Sequence, residues 1–407
     1  MIPLLKNKLK PATESDNYRP IAIATAMSKL FELVILSKCE DLLSTTDNQF
    51  GFKSNHSTDI CIFSLKEIVN YYNVQGSPVF LCYLDIRKAF DRVKYSVLFK
   101  KLLDRSVPVY IVRMIAYCYV NQLMMIRWGN AFSNSFNVKN GIKQGGLLSP
   151  YLFNLYVDQL SANLTAAGVG CVVKNVIVNH LSYADDMVLI APSAYALQSL
   201  LNICSTYAIV HNILYNTEKS YCMICWPKRF LFKFLPNFYL QNDVLEYISV
   251  YKYLGVLINE HMNDNDEMLQ RMRNIYATGN MVIRKFGKCG TDIKILMFKT
   301  FLSQVYCCSL WTSYKMSSYT KTKVSHNDIF RSLFLVPRYE SASTLFASHN
   351  VRNLDAVLRA NYYSLMCRVT NSSNSIVQAL VTSEARLRSR IWHSWGVALG
   401  QDMAEVF

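Results

Sequence analysis

Long apolar runs are absent from this 407-residue sequence, and none reaches the roughly 18 to 20 residues that a membrane-spanning helix needs. The N-terminal stretch M-I-P-L-L-K-N-K has neither the apolar region nor the small-residue cleavage site of a secretory signal. Internal repeats and low-complexity tracts are also missing. These absences argue against membrane insertion and secretion. The 51% share of apolar residues favours a globular chain with two or three domains and an ample core.

The twelve cysteines lack the spacing of a zinc site. Cys222 and Cys225 form one C-x-x-C pair, but no second pair or Cys/His partner follows at a suitable distance. The pair lies in an apolar stretch, which favours core packing over a metal or redox role. Without a secretory signal, reduced cysteines are expected.

Acidic side chains are scarce, with 28 Asp and Glu against 43 Lys and Arg and a net charge of +15. From residue 251 onward there are 19 basic and 11 acidic residues, a net charge of +8. Such a balance is typical of proteins that bind a polyanion, nucleic acid before membrane. Composition alone fits a merely basic protein equally well.

Two adjacent carboxylates, Asp185 and Asp186, stand between two short apolar runs that are typical of strands. The pattern predicts a hairpin over residues 181–190 with the two aspartates at its tip. Asn-Gly would make a better turn, and neighbouring like charges repel each other. A divalent cation such as Mg²⁺ would remove that repulsion. An isolated Asp-Asp is, however, most often an ordinary acidic turn.

Two further stretches carry chemistry. The apolar run 79–84 predicts a buried strand that ends at Asp85, and a strand end is a usual place for a catalytic carboxylate. Asp85 could equally cap the following helix. Residues 141–150, G-I-K-Q-G-G-L-L-S-P, place three glycines before Ser149 and Pro150, which predicts a loop that approaches a ligand and an N-capped helix after it. An ordinary loop is the alternative.

The remaining pattern is largely helical. The sequence predicts a helix from residue 26 with Leu30, Leu33, Val34 and Ser37 on one face, and a second from about 58 to 72. Two more are expected over 94–126 with a break near 106–108, and another over 194–211. Strands are expected near 221–224 and 251–258, and helices from about 264 onward.

Taken together, these motifs resemble the reverse transcriptase of a non-LTR (LINE-type) retrotransposon. The matching stretches, in the family's order, are 17–21 (N-Y-R-P-I), 49–52 (Q-F-G-F), 85–91 (D-I-R-K-A-F-D), 141–150, 183–186 (Y-A-D-D) and 253–255 (Y-L-G). The tetrapeptide Y-A-D-D alone is weak, but all six in order are specific. The resemblance covers about residues 1–258.

The resemblance implies an α+β fold of the right-hand polymerase type, with fingers, an antiparallel-sheet palm and a helical thumb. Residues 1–78 would form N-terminal fingers, residues 79–258 the palm with the remaining fingers, and residues 259–407 a basic helical thumb and C-terminal extension. Asp85 and Asp185 resemble the principal metal ligands, and Asp186 is the second hairpin carboxylate. The implied cofactors are two Mg²⁺ ions, with Mn²⁺ as an alternative.

The same resemblance assigns roles to residues around the nucleotide. Phe90 matches the aromatic ring that stacks under the sugar and excludes a 2′-hydroxyl. Gln144 and Gly145 would line the templating base and the incoming nucleotide. Lys219 fits the general acid that protonates the leaving pyrophosphate.

Two basic residues in the first helix and strand region are weaker candidates. Arg19 and Lys29 would contact the triphosphate or the template backbone. For Lys29, a solvated helix face is at least as good an interpretation.

The sequence thus predicts an RNA-directed DNA polymerase that extends a primer 3′-hydroxyl. Its expected partners are an RNA template, a DNA primer or target DNA, and dNTPs, with no membrane. Since the polymerase match begins within the first twenty residues, an endonuclease is expected to be supplied elsewhere. Action in the nucleus after cytoplasmic assembly is expected from the function alone.

Two alternatives stay open at this stage. The chain could be a non-catalytic nucleic-acid-binding remnant of such an element, although its carboxylates are intact. It could also be a maturase-like or telomerase-like relative, which the A-F-D after Asp85 and the G-I-K-Q-G-G loop disfavour.

Overall fold

The computed structural model describes residues 1–7, 11–227 and 235–400. Helices and strands are mixed along the chain, which confirms the predicted α+β class. The α-helices are α1 (Ala26–Cys39), α2 (Thr58–Val74), α3 (Tyr95–Asp104), α4 (Val109–Val120), α5 (Ser149–Ala166), α6 (Ala194–His211), α7 (Asn265–Phe286), α8 (Thr291–Phe301), α9 (Met316–Leu333), α10 (Ala342–Ser348), α11 (Leu354–Thr370), α12 (Ser375–Val381) and α13 (Arg390–Leu399).

Most strands are short and form small hairpins around one larger sheet. The β-strands are β1 (Ile2–Leu5), β2 (Tyr18–Ile21), β3 (Val79–Leu84), β4 (Leu123–Met124), β5 (Arg127–Trp128), β6 (Ala131–Phe132), β7 (Phe136–Asn137), β8 (Cys171–Val173), β9 (Val176–Val178), β10 (His180–Tyr183), β11 (Asp186–Ala191), β12 (Tyr221–Cys225), β13 (Tyr239–Leu240), β14 (Asp243–Val244), β15 (Glu246–Tyr247), β16 (Val250–Tyr253) and β17 (Val256–Asn259).

The larger sheet has the strand order β10-β11-β3-β12-β15. The β3 strand lies at its centre and pairs antiparallel with both β11 and β12, while only β12 and β15 run parallel. The strands predicted at 79–84, 181–190 and 221–224 are therefore neighbours in one sheet, and the predicted antiparallel palm sheet is present.

Alternate side chains of β3 enter two different cores. Phe80, Cys82 and Leu84 pack with α3 to α6 on one face. Val79, Leu81 and Tyr83 pack on the other face with α2 and the C-terminal helices. Because both faces are covered, every residue of β3 is buried, which explains its continuous apolar sequence.

The C-terminal helices divide between two packing units. Helices α7 to α10 share a core of their own, around Phe298, Phe330 and Phe346. Helices α11 to α13 instead join the core on the α2 side of the sheet, where Trp395 stacks on Phe63 with ring centroids 5.7 Å apart. The division at residues 78 and 258 stays a prediction, since this core draws on residues from all three segments.

The first helix has an unexpected orientation. The face of α1 with Leu30, Leu33 and Val34 is exposed, and Leu30 retains 55% of its accessible surface. The buried side carries Glu32, Ile35 and Cys39. Apolar periodicity alone points to the wrong side of this helix, because the charged residue Glu32 occupies a buried position.

The cysteines follow the prediction, since all twelve are free. Cys222 and Cys225 are both buried within β12. Within residues 1–7, 11–227 and 235–400, no helix combines the length and apolar character needed to cross a bilayer.

Removing the Trp395 side chain tests whether the C-terminal helices share the core of the sheet. Trp395 is fully buried, so Trp395→Ala is expected to lower the free energy of unfolding by about 3–5 kcal/mol. The matched control is Trp128→Ala, because Trp128 keeps 58% of its surface exposed and its loss should change stability by about 0.5 kcal/mol or less. Chemical denaturation measures both, and equal losses would contradict the shared core.

Candidate active site

The two hairpin aspartates lie at one end of the sheet, where β10 turns into β11. Tyr183 pairs with Asp186, so Ala184 and Asp185 form the two-residue turn. The pairing of Met187 with Leu84 puts Asp186 beside the strand end at Asp85. Asp85 and Asp186, which are 101 positions apart in the sequence, are thus brought to one edge by strand register.

The three carboxylates disturb one another electrostatically. Burial raises the pKa of Asp185, and the charge of Asp85 raises it further. Loss of hydration raises the pKa of Asp186 to about 6, and the charges of Asp185 and Asp85 act in the same direction. The Asp186 side chain is exposed at the surface, where solvent screens both effects. The three neighbouring carboxylates therefore form a cluster of excess negative charge.

Arg19 is the cation that acts on this group. Its charge lowers the pKa of both Asp185 and Asp186, and its side chain is exposed. It lies on β2. Lys29, by contrast, lies on the exposed side of α1, and no described contact joins it to the carboxylates.

The backbone around Asp85 is held by the segment that follows α6. The Asp85 N–H donates to Ser220 Oγ at 3.1 Å, and its carbonyl accepts from Asn216 N at 2.8 Å. Lys219 lies between these two contacts in sequence, with an exposed side chain. The structure therefore brings the predicted general acid to the edge of the site.

The glycine-rich loop packs on the turn after β3. Ile142 N donates to Phe90 O at 2.8 Å, and Gly141 N donates to Val93 O at 2.9 Å. A Cβ on Gly141 would lie 2.8 Å from the Asp91 backbone, so only glycine permits this approach. Phe90 stacks on Phe153 with ring centroids 4.9 Å apart. Phe153 thus fixes the position of the Phe90 ring, which the resemblance assigns to the sugar site.

The centre of the same loop reaches the N-terminal strands. Gln144 Nε2 donates to Asp91 Oδ1 at 3.1 Å, and Gln144 O accepts from Ala22 N at 2.7 Å. Gly145 has φ +104°, and a Cβ there would lie 2.9 Å from Ala22 O. Gln144 and Gly145 therefore join the turn after β3, which includes Asp91, to the segment that carries Arg19.

Glu32 is a supporting residue that sequence reasoning missed. Its Oε2 accepts from Leu147 N at 2.6 Å and from Leu148 N at 3.1 Å. The predicted N-cap Ser149 is instead the first residue of α5, and Leu148 is the N-cap without a capping side chain. Glu32 supplies the missing negative charge to this helix start, which explains its burial on α1. Nothing in the local sequence signals so distant a cap.

Tyr251 is a second residue without a prior assignment. It lies on β16 and stacks on Tyr83 with ring centroids 4.3 Å apart. Burial raises its pKa to about 12, and the charges of Asp186 and Asp85 act in the same direction. The hairpin of β16 and β17 therefore borders the carboxylates, and its tip is held by Arg271, which donates to Gly255 O at 2.7 Å.

The donor set suits a hard divalent cation, because it consists of carboxylate oxygens that repel one another. Within residues 1–7, 11–227 and 235–400, no group of three or more His, Cys, Asp or Glu side chains is gathered into an arrangement that could hold a metal ion.

Comparison with known proteins identifies the family. Residues 6–258 match the family model described as reverse transcriptase (RNA-dependent DNA polymerase). This match covers more than half of the chain, which therefore belongs to that family. The mixed helix and sheet architecture and the family match together confirm the predicted right-hand polymerase class.

The curated relatives are named as RNA-directed DNA polymerases of transposons and mobile elements. The chain is 26% identical over 329 residues to the probable RNA-directed DNA polymerase from transposon X-element of Drosophila melanogaster, covering 76% of this chain and 35% of the relative. It is 23% identical over 364 residues to that from transposon BS, covering 85% and 39%. It is 22% identical over 394 residues to the RNA-directed DNA polymerase from mobile element jockey of Drosophila melanogaster, covering 92% of this chain and 42% of the relative. The chain thus spans well under half the length of these relatives.

Solved structures give a weaker comparison. Apo telomerase from Candida tropicalis covers 91% of this chain and 61% of its own length, with 11% identity and a TM-score of 0.43. A similarity at this level carries no weight for fold or function.

Asp186→Asn tests the repulsion in the metal-free protein. A carboxyl whose pKa rises on folding binds its proton more tightly in the folded state, so stability falls as pH rises from about 4 to about 6 and stays reduced above that range. Asn carries no charge, and the variant should melt at a higher temperature than the parent at about pH 7.5.

The advantage should shrink at about pH 5, where Asp186 is largely protonated in the parent. Thermal melting with a chelator present measures the difference. The control is Asp104→Asn on the exposed end of α3. A variant that is no more stable than the parent at the higher pH would disprove the repulsion.

Proposed function

We propose that this chain is an RNA-directed DNA polymerase of a non-LTR retrotransposon, which extends a primer 3′-hydroxyl with dNTPs on an RNA template. The observation that carries the proposal is the strand register that sets Asp186 beside Asp85, with Asp185 at the adjoining turn. Family membership gives the reaction class. The relatives' printed names add a transposon as the source.

The carboxylates Asp85 and Asp185 would hold two Mg²⁺ ions, or Mn²⁺, with Asp186 contributing less directly. Bound there, the ions would lower the pKa of the primer hydroxyl and stabilise charge on the phosphoryl group. Lys219 would donate a proton to the leaving pyrophosphate, for which an exposed side chain next in sequence to Ser220, the acceptor of the Asp85 N–H, is suited. Arg19 would neutralise triphosphate charge, since it already acts on the hairpin carboxylates.

The nucleotide would lie beside the glycine loop and the turn after β3, which pack on each other. Phe90, fixed by Phe153, would present a flat ring to the sugar and leave no room for a 2′-hydroxyl. Gln144 and Gly145 would border the templating base, because the loop joins the two segments that flank this space. Lys29 stays the weakest candidate for a backbone contact.

The further partners follow from the function. Target DNA would supply the primer, and the reaction would take place in the nucleus after cytoplasmic assembly. The rival function is a non-catalytic nucleic-acid-binding remnant, which the intact carboxylates disfavour.

Primer extension tests the proposal. The parent chain should extend a DNA primer on poly(rA) with Mg²⁺, whereas Asp185→Asn should lose at least about 100-fold of the rate, because charge stabilisation at the phosphoryl group is lost. Template binding and folding should be retained. Asp104→Asn, the matched exposed carboxamide variant, should keep normal synthesis.

Two results would count against this assignment. Near-normal synthesis by Asp185→Asn would remove the hairpin from the catalytic site. No synthesis by the parent, with template binding intact, would favour the remnant.

Phe90→Val tests the sugar site. A smaller side chain leaves space for a 2′-hydroxyl, so ribonucleotide incorporation should rise by about 10-fold or more relative to deoxynucleotides. The control is Phe99→Val, which removes a ring that stacks on Tyr95 in α3. Competitive incorporation with both nucleotide types measures the ratio, and unchanged discrimination would exclude Phe90 from the sugar site.

A further inference from the structure

The turn that carries Asp185 has an unusual backbone. Ala184, the first residue of this turn, has φ +57°, a region that residues with a Cβ enter rarely. The two strands that leave the turn are held by ladder hydrogen bonds, but those bonds end at the pair Tyr183 and Asp186. Something besides the ladder must therefore hold Ala184 and Asp185 in place.

Gln49 makes the contacts that hold the turn. Its Oε1 accepts from Ala184 N at 2.8 Å and from Gly51 N at 2.9 Å, and its Nε2 donates to Ala184 O at 3.4 Å. One side chain thus satisfies both backbone polar groups of the strained residue. Gln49 is 3% exposed, so water cannot readily replace these bonds.

The main chain around Gln49 runs along β10 at the same place. Phe50 N donates to Ser182 O at 2.8 Å, and Ser182 N donates to Asn48 O at 2.8 Å. A Cβ on Gly51 would lie 2.6 Å from Ala184 N, so glycine is needed for the amide side chain to close over the turn. The Q-F-G-F stretch therefore fits the hairpin as a unit.

We call the bonds from Gln49 to Ala184 the clamp. The segment that carries Gln49 is itself bonded to the C-terminal helices. Asn374 Nδ2 donates to Asp47 O at 2.8 Å, and Ser375 N donates to Asp47 Oδ2 at 2.9 Å. These bonds tie the start of α12 to the residues just before Gln49. The side-chain amide therefore acts from a braced segment and not from a free loop.

We propose that Gln49 is a positioning residue, which orients the Asp185 carboxylate through the Ala184 backbone before substrate binds. The inference rests on the proposed polymerase function. Gln49 bonds the N–H and the carbonyl of Ala184, the residue directly before Asp185, so it fixes the direction in which the backbone enters Asp185. Gln49 touches no reacting atom, and its effect is on geometry.

The test compares two isosteric losses at neighbouring buried positions. Gln49→Met removes the amide that holds Ala184, while Asn48→Leu removes the bond from Asn48 Nδ2 to His180 O at the far end of β10. Both variants lose buried hydrogen bonding to the same hairpin. Only the first acts on the turn.

Hydrogen exchange in the metal-free protein is the first measurement. Ala184 N–H should exchange at least about 10-fold faster in Gln49→Met than in the parent or in Asn48→Leu, because its acceptor is gone. Gln49→Glu keeps a side-chain acceptor and should retain the protection, which preserves the test if the methionine variant folds poorly. Unchanged exchange at Ala184 in a folded Gln49→Met would overturn the clamp.

Steady-state synthesis is the second measurement. Gln49→Met should lower kcat by about 10- to 100-fold with little change in KM for dNTP, while Asn48→Leu leaves kcat nearly unchanged. A kcat loss no greater than that of Asn48→Leu would overturn the positioning role. A parent without synthesis would refute the proposed function separately, and the exchange result would still support or overturn the clamp.

Discussion

Mutual repulsion among Asp85, Asp185 and Asp186 is the constraint that the surrounding fold has to overcome. The charge of Asp85 raises the pKa of both neighbours, so the arrangement is unfavourable without a cation. Apolar burial elsewhere opposes it, since each fully buried side chain contributes about 1.5–3 kcal/mol. The β3 strand, covered on both faces, fixes the position of Asp85, and its register with β11 fixes Asp186. The charges stay together because the cores hold their strands together.

The surroundings of the carboxylates are assembled from segments far apart in the chain. The loop with Gln144 and Gly145 touches both the turn after β3 and the N-terminal strands, and Glu32 fixes its far end. Glycine at two points allows backbones to meet at distances that a Cβ would block. The site is thus bordered by close backbone contacts, which hold geometry more tightly than long side chains would.

Local pattern predicted the elements and the motif order, because strands such as 79–84 and helices such as 194–211 follow from apolar runs and caps. The resemblance to the family also predicted that Asp85 and Asp185 lie close together. It failed where a distant partner decides the outcome. The buried side of α1 depends on Glu32 capping α5, and the role of Gln49 depends on a backbone 135 residues away. The spacing of apolar residues predicts which face of a helix is apolar, but it does not predict which distant residue that helix will contact.

The packing of α11 to α13 against α2 has a consequence for biogenesis. The core beneath the sheet includes Phe63 from the early chain and Trp395 from its late part. During translation this core must wait for α11 to α13, and its apolar strands remain exposed to solvent meanwhile. Contacts of such long sequence separation slow folding and favour aggregation of partly made chains. The nascent chain would therefore expose these apolar surfaces until Trp395 has left the ribosome.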